Sequence, residues 1–225
     1  MHISNGNYIV IEGNIGAGKT SLSKLLSTDW EARLILEEFS DNPFLPLFYD
    51  NPERYAFPVE LFFMTERHKQ LQQLLLEGNL FQERVVSDYI FSKTLLFARQ
   101  NLADDELRLF QRLFQTLNAA FPKPQLLVYL HRSVDQLLAN IAKRGRAYEQ
   151  SITGDYLQRI QQAYFDFFNL MKEDLPILVL DVGDWDFIQN PAYYQVILEQ
   201  IQKPYAKGYH TWSTADASLM KDTRN

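Results

Sequence analysis

A chain of 225 residues, 46% hydrophobic and 22% charged, suits one globular domain with a well-buried core. Its net charge of −6 speaks against a broad electrostatic grip on nucleic acid, so an anionic ligand must be small and met by a local cationic site. The absence of cysteine excludes disulfides and thiolate metal sites and fits a reducing cytoplasm.

The N-terminal residues show no basic stretch leading into a long apolar one, and no apolar run approaches the roughly 18 residues of a membrane span. A soluble, cytoplasmic protein with no membrane partner is the expectation.

The first candidate strand, Tyr8–Glu12, is followed without a break by "GNIGAGKT", Gly13 to Thr20. This is the pattern G-x-x-x-x-G-K-[ST] in its required setting, strand before and helical spacing after, here over 18–28. Gly13, Asn14, Ile15, Gly16, Ala17 and Gly18 form a tight turn whose N–H groups face inward on phosphate oxygens. Lys19 brings a positive charge to the β- and γ-phosphates, Thr20 a hydroxyl to Mg²⁺, and the helix its positive end. ATP and Mg²⁺ are therefore the expected cofactors. Neither D-x-x-G nor N-K-x-D, the marks of a GTPase, occurs.

The second candidate strand, Arg33–Glu37, ends on paired acids, Glu37 and Glu38. A turn signal, Asp41-Asn42-Pro43, and the rings Phe44, Phe48 and Tyr49 follow. In α/β folds, ligands bind outside the carboxyl ends of the strands, where these acids stand. A helical pattern over 58–77 puts Glu60 and Arg67 two turns apart on one face, with Phe63 and Met64 between them.

A third candidate strand, Arg84–Ser87, precedes helical spacing over 90–120; the fourth is Gln125–His131, with a helix over 134–144. Its end reads "KRGRAYEQ", residues 143–150, where Lys143, Arg144 and Arg146 surround Gly145. Arginines on such a hinge can swing over a triphosphate and neutralise charge on the transferred group. Helical spacing over 155–173, a fifth strand at Pro176–Asp181 and a helix over 190–202 complete the pattern. Strands apolar on both faces, alternating with helices, predict a five-stranded parallel sheet with helices on both sides. Residues 1–203 read as one domain with a lid at 143–150, and 204–225 as a polar tail without a core pattern.

"IEGNIGAGKT", then "EE…DNPFLPLFY", then "KRGRAYEQ" stand in order, and together they resemble the deoxynucleoside kinase family, in particular its bacterial deoxyadenosine/deoxyguanosine kinase branch. The resemblance spans about residues 8 to 181. It implies a P-loop kinase, commonly a homodimer, that passes the ATP γ-phosphate to the 5′-hydroxyl of a deoxynucleoside, with a purine preferred.

It makes Glu37 the acid that takes the 5′-hydroxyl proton, with Glu38 second in line. Tyr49 and Glu149 match residues that touch the sugar 3′-hydroxyl, Arg67 matches a base-pocket arginine, and Phe97 an aromatic that stacks on the base. Alternative readings are a thymidylate-type nucleoside monophosphate kinase and a non-catalytic nucleotide-binding module.

The chain departs from the family at two places. Glu60 stands where a glutamine is usual: an ionised carboxylate only accepts, which suits guanine's N–H edge, whereas adenine would call for a protonated one. After the third strand, Ser87-Asp88-Tyr89 replaces an acid-Arg-Ser triplet. Asp88 then becomes the acid that helps hold Mg²⁺ and meets the substrate, and Lys93 a source of the positive charge that the missing arginine would bring.

Overall fold

The computed structural model describes residues 8–37, 42–76, 84–118 and 121–215. Six strands among them form one sheet in the order β2-β3-β1-β4-β5-β6, with every pairing parallel. They are β1 (Tyr8–Gly13), β2 (Arg33–Ile35), β3 (Val85–Ser87), β4 (Leu126–His131), β5 (Pro176–Asp181) and β6 (Gly208–Ser213).

The pleat explains why the inner strands are apolar throughout, since alternate side chains leave the sheet on opposite faces. In β4, Leu127 and Tyr129 enter one core while Leu126, Val128 and Leu130 enter the other; in β5, Ile177 and Val179 part from Leu178 and Leu180 in the same way. The first core is closed by α2 (Leu45–Asp50), α3 (Pro52–Leu76), α4 (Lys93–Asn101), α5 (Asp104–Asn118) and α7 (Gly154–Met171). The second is closed by α1 (Lys19–Asp29), α6 (Val134–Arg144) and α8 (Pro191–Ile201), with Leu157 of α7.

Local chemistry sets the helix ends. Ser133 and Gln136 form a reciprocal capping box at the start of α6, and Gly145 ends it in the left-handed region at φ 72°. Thr153 caps α7, and Asn190 with Pro191 opens α8.

Among the described residues the sheet has six strands where five are expected, because Gly208–Ser213, inside the stretch read as a polar tail, pairs with β5 along its whole length. Only Trp212 of that strand is buried among its large side chains, while Tyr209 stays exposed, so an edge strand with half a hydrophobic face leaves little pattern. The helix expected over 90–120 is two, α4 and α5, separated where Leu102 turns extended at ψ 144°. The acids Asp104, Asp105 and Glu106 fill the first turn of α5, where they favour the helix dipole. Helix α2, only six residues long, was not anticipated.

Candidate active site

The carboxyl ends of the strands converge on one region. The loop after β1 carries Gly16 and Gly18 at φ 83° and 99°, which non-glycine residues adopt only under strain. It is pinned from outside: Asn140 on α6 donates to Gly16 O at 2.8 Å, and Asn14 donates to Leu157 O at 2.8 Å. Lys19 Nζ folds back onto the carbonyls of Gly13 and Asn14 at 2.9 and 3.0 Å. Burial, then the neighbouring charge of Lys93, pushes its ammonium down to about 8.

Asp88 leaves the end of β3 and receives the Thr20 hydroxyl on Oδ2 at 2.6 Å and the Glu37 backbone N–H on Oδ1 at 2.7 Å. Burial, then the Glu37 charge, raises its carboxyl above the ordinary value. Of the Ser87-Asp88-Tyr89 segment, it is Asp88 whose carboxylate meets Thr20 and the end of β2. Tyr89, which follows it, is fully buried and donates its hydroxyl to Gln70 at 2.7 Å.

Glu37 is held by two cations. Arg67 donates to its Oε1 through Nε at 2.8 Å and through Nη2, and Lys93 Nζ donates to Oε2 at 3.1 Å. Burial alone would raise the Glu37 carboxyl, but Arg67, Lys93 and Lys19 together keep it well below the usual carboxylate range. Lys93 also lies 3.8 Å from Glu12, a fully buried acid of β1 that receives the Ile90 N–H and the Tyr164 hydroxyl, each at 2.9 Å. Glu38 lies outside the described residues.

Glu60 stands on the same face of α3 as Arg67, and Asn101 donates to its Oε1 at 2.7 Å. Arg67 turns to Glu37 and to the Thr94 hydroxyl at 2.8 Å. Phe63 and Phe97 line the cleft beside Glu60; Met64, expected on the same stripe, is buried in the first core instead. Beyond them, Tyr49 stacks on Tyr148 at 6.2 Å. Buried Glu149 gathers the two arginines expected to act from a lid, receiving Arg144 on Oε2 through Nε at 3.0 Å and through Nη2, and Arg146 on Oε1 at 3.2 Å.

Two clefts meet here. One, of about 130 Å³, is lined by Tyr49, Glu60, Phe63, Phe97 and Glu149; the other, of about 780 Å³, runs past Gly18 to Trp185 and Phe187. Lys19, Thr20, Glu37, Asp88, Arg144 and Arg146 line both, so the expected catalytic and metal-binding residues form the wall the clefts share.

One participant was missed. Arg132, directly after β4, donates to Ala17 O at 3.2 Å, Gly183 O at 2.6 Å and Trp185 O at 2.8 Å, tying the glycine-rich loop to the loop after β5. The rule that points to Glu37, that chemistry follows strand ends, also points to Arg132.

The deoxynucleoside kinase family model matches residues 9–205. The chain is 33% identical over 199 residues to a deoxyguanosine kinase of Bacillus subtilis, covering 87% of this chain and 96% of that protein. It is 31% identical over 206 residues to a deoxyadenosine kinase of Lactobacillus acidophilus, covering 87% and 94%. Its fold matches that of a deoxyadenosine kinase from M. mycoides with bound dATP, at a TM-score of 0.73 and 22% identity, over 87% of this chain and 98% of that one. With the family matched along nearly the whole described chain and a strand-end site to go with it, the protein belongs to the deoxynucleoside kinase family.

Proposed function

We propose that the chain transfers the γ-phosphoryl group of ATP to the 5′-hydroxyl of a deoxynucleoside, with a purine preferred. The observation that carries this reading is the shared wall: a lysine, a hydroxyl, two carboxylates and two arginines stand where a large cleft and a smaller one join. A triphosphate in the large cleft and a nucleoside in the small one, whose lining mixes aromatic rings with charged groups, would meet at that wall, which is the proximity an in-line transfer requires.

In this reading Gly13–Thr20 is a phosphate loop, and Lys19 exchanges its two backbone carbonyls for phosphate oxygens. Glu37 accepts a hydrogen bond from the 5′-hydroxyl and takes its proton as the oxygen attacks the γ-phosphorus and ADP leaves. So acidic a carboxyl is a weak base, but phosphoryl transfer asks mainly for alignment and a place for the proton. Arg144 and Arg146 balance charge on the transferred group, and Tyr49 and Glu149 meet the sugar 3′-hydroxyl. Glu60, Arg67 and Phe97 border the base.

Thr20 and Asp88 suit Mg²⁺. Among the described residues no cluster of three or more acidic or imidazole groups could hold a metal, and Mg²⁺ is usually bound by one or two carboxylates together with substrate phosphates. When bound it would neutralise phosphate charge beside the Thr20–Asp88 pair. A homodimer in the cytoplasm completes the reading; no helix among the described residues is long and apolar enough to cross a membrane.

The test is ADP release from ATP and Mg²⁺ with each of four deoxynucleosides and with dTMP, beside Glu37→Gln. Deoxynucleoside-driven release, slowed on the order of 10²–10⁴-fold in the variant with ATP binding unchanged, is the expected result. Release driven only by dTMP would replace the acceptor with a monophosphate, and ATP binding without any turnover would leave a nucleotide-binding module.

A further inference from the structure

Glu60 is 2% exposed, yet it borders the smaller cleft, with Val59 and Phe63 of its own helix and Phe97 and Asn101 of α4 around it. Asn101 donates to Oε1, and Oε2 has no hydrogen-bond partner among the described residues. The charged and titratable groups facing it are committed elsewhere or carry no positive charge. Arg67 on α3 and Lys93 on α4 both bind Glu37 at the end of β2, Glu37 is itself an anion, and α7 presents the Tyr156 phenol. No cation among the described residues lies within salt-bridge distance of Glu60. A buried carboxylate in that position takes either a proton or a ligand that brings donors. Burial pushes Glu60 up to about 7, the Asn101 bond acting against it.

The two purines offer different edges. Guanine presents two N–H donors side by side, at N1 and N2, which an ionised carboxylate accepts as a pair. Adenine presents an acceptor at N1 beside a donor at N6, which a protonated carboxyl matches with its O–H and its carbonyl oxygen.

From the geometry we infer that Glu60 selects the purine, taking guanine as a carboxylate and adenine as a carboxylic acid, so that the preferred deoxynucleoside changes with pH. The inference rests on the kinase reading above and concerns the base end of the acceptor cleft. Phe63 and Phe97 supply flat walls for either purine; of the polar groups that line the cleft beside them, Glu60 is the one whose change of protonation exchanges an acceptor for a donor.

The experiment is competition: deoxyguanosine and deoxyadenosine together, with ATP saturating, and the ratio of their kcat/KM values followed from about pH 5.5 to about 8.5. Neither base titrates in that window, and effects of pH on the ATP half cancel in the ratio. With one group choosing between them, the deoxyguanosine to deoxyadenosine ratio is expected to rise about tenfold per pH unit. Glu60→Gln, which keeps a donor and an acceptor at all pH values, is expected to give a ratio independent of pH.

A flat ratio in the unsubstituted enzyme overturns the inference without needing the variant, and so does a slope that survives in Glu60→Gln. The kinase reading stands in both cases, since both require turnover. No turnover with either deoxynucleoside at any pH removes that reading, and the inference with it.

Discussion

The Lys93 ammonium lies 3.1 Å from Glu37 Oε2 and joins the proposed proton acceptor to a buried acid on the central strand, Glu12, 3.8 Å away. The lysine is almost fully buried, so among the described residues its charge is met by these two acids and by the face of the Phe97 ring, 5.5 Å away. Lys93→Met is expected to destabilise the fold by about 3 kcal/mol, the scale for removing one member of a buried charge cluster. Urea midpoints measure the loss. Adding Glu12→Gln to the same chain should recover part of it, because the second acid then has no charge left to compensate.

Glu37 should give stability an acid-side dependence of its own. Its folded carboxyl lies well below the unfolded one: burial opposes this, but Arg67 and Lys93 prevail. A depressed carboxyl contributes stability fully above the unfolded value of about 4.3, and that contribution is lost as pH falls toward the folded value. The difference in unfolding free energy between the unsubstituted chain and Glu37→Gln should therefore be constant above about pH 5 and change only below it. Urea titrations at stepped pH values test this; a difference that varies between about pH 6 and 8 would mean another group sets it.

Arg132 spends its guanidinium on three backbone carbonyls from two loops that wall the larger cleft. Lysine keeps the charge but cannot reach all three. Arg132→Lys is expected to raise the KM for ATP about tenfold, the loss of one or two charge-assisted bonds, and to leave the KM for the deoxynucleoside unchanged. Equal rises in both would mean that the arginine supports the whole sheet end rather than one cleft.

Gly16 tolerates no side chain. Its φ is 83°, and a Cβ there would stand 2.8 Å from Leu137 O. Gly16→Ala should cost roughly 1–3 kcal/mol in the loop and weaken ATP binding, as read by calorimetry, while leaving deoxynucleoside binding near its original value.

What could be read in advance depended on how local each signal was. Gly13–Thr20 is contiguous, and the role proposed for it follows from residue types at fixed spacing. Glu37 stood out as a candidate because it ends a short apolar run. The partners of these residues were harder to see. Arg132 binds carbonyls that any residue would provide, far along the chain. Asn101, the last residue of α4, meets Glu60 across the packing of α4 on α3, 41 residues away in the chain. Strand β6 went unread because a solvent-facing edge needs no continuous apolar run, and Lys93 reaches Glu37 only once β2 and α4 have come together.

The placement of β1 between β3 and β4 bears on how the protein comes to fold. Its pairings, Tyr8 with Val85 and Ile9 with Leu126, join points far apart in the chain, so the central strand is secured only after two large loops have closed. The glycine-rich loop is contiguous in sequence but cannot hold its shape until that happens. A fragment ending before β4 would carry every residue of the loop and still lack the neighbour that fixes it. Binding of ATP during refolding should therefore appear late, as a reporter of the assembled sheet, rather than early, as the property of a short peptide.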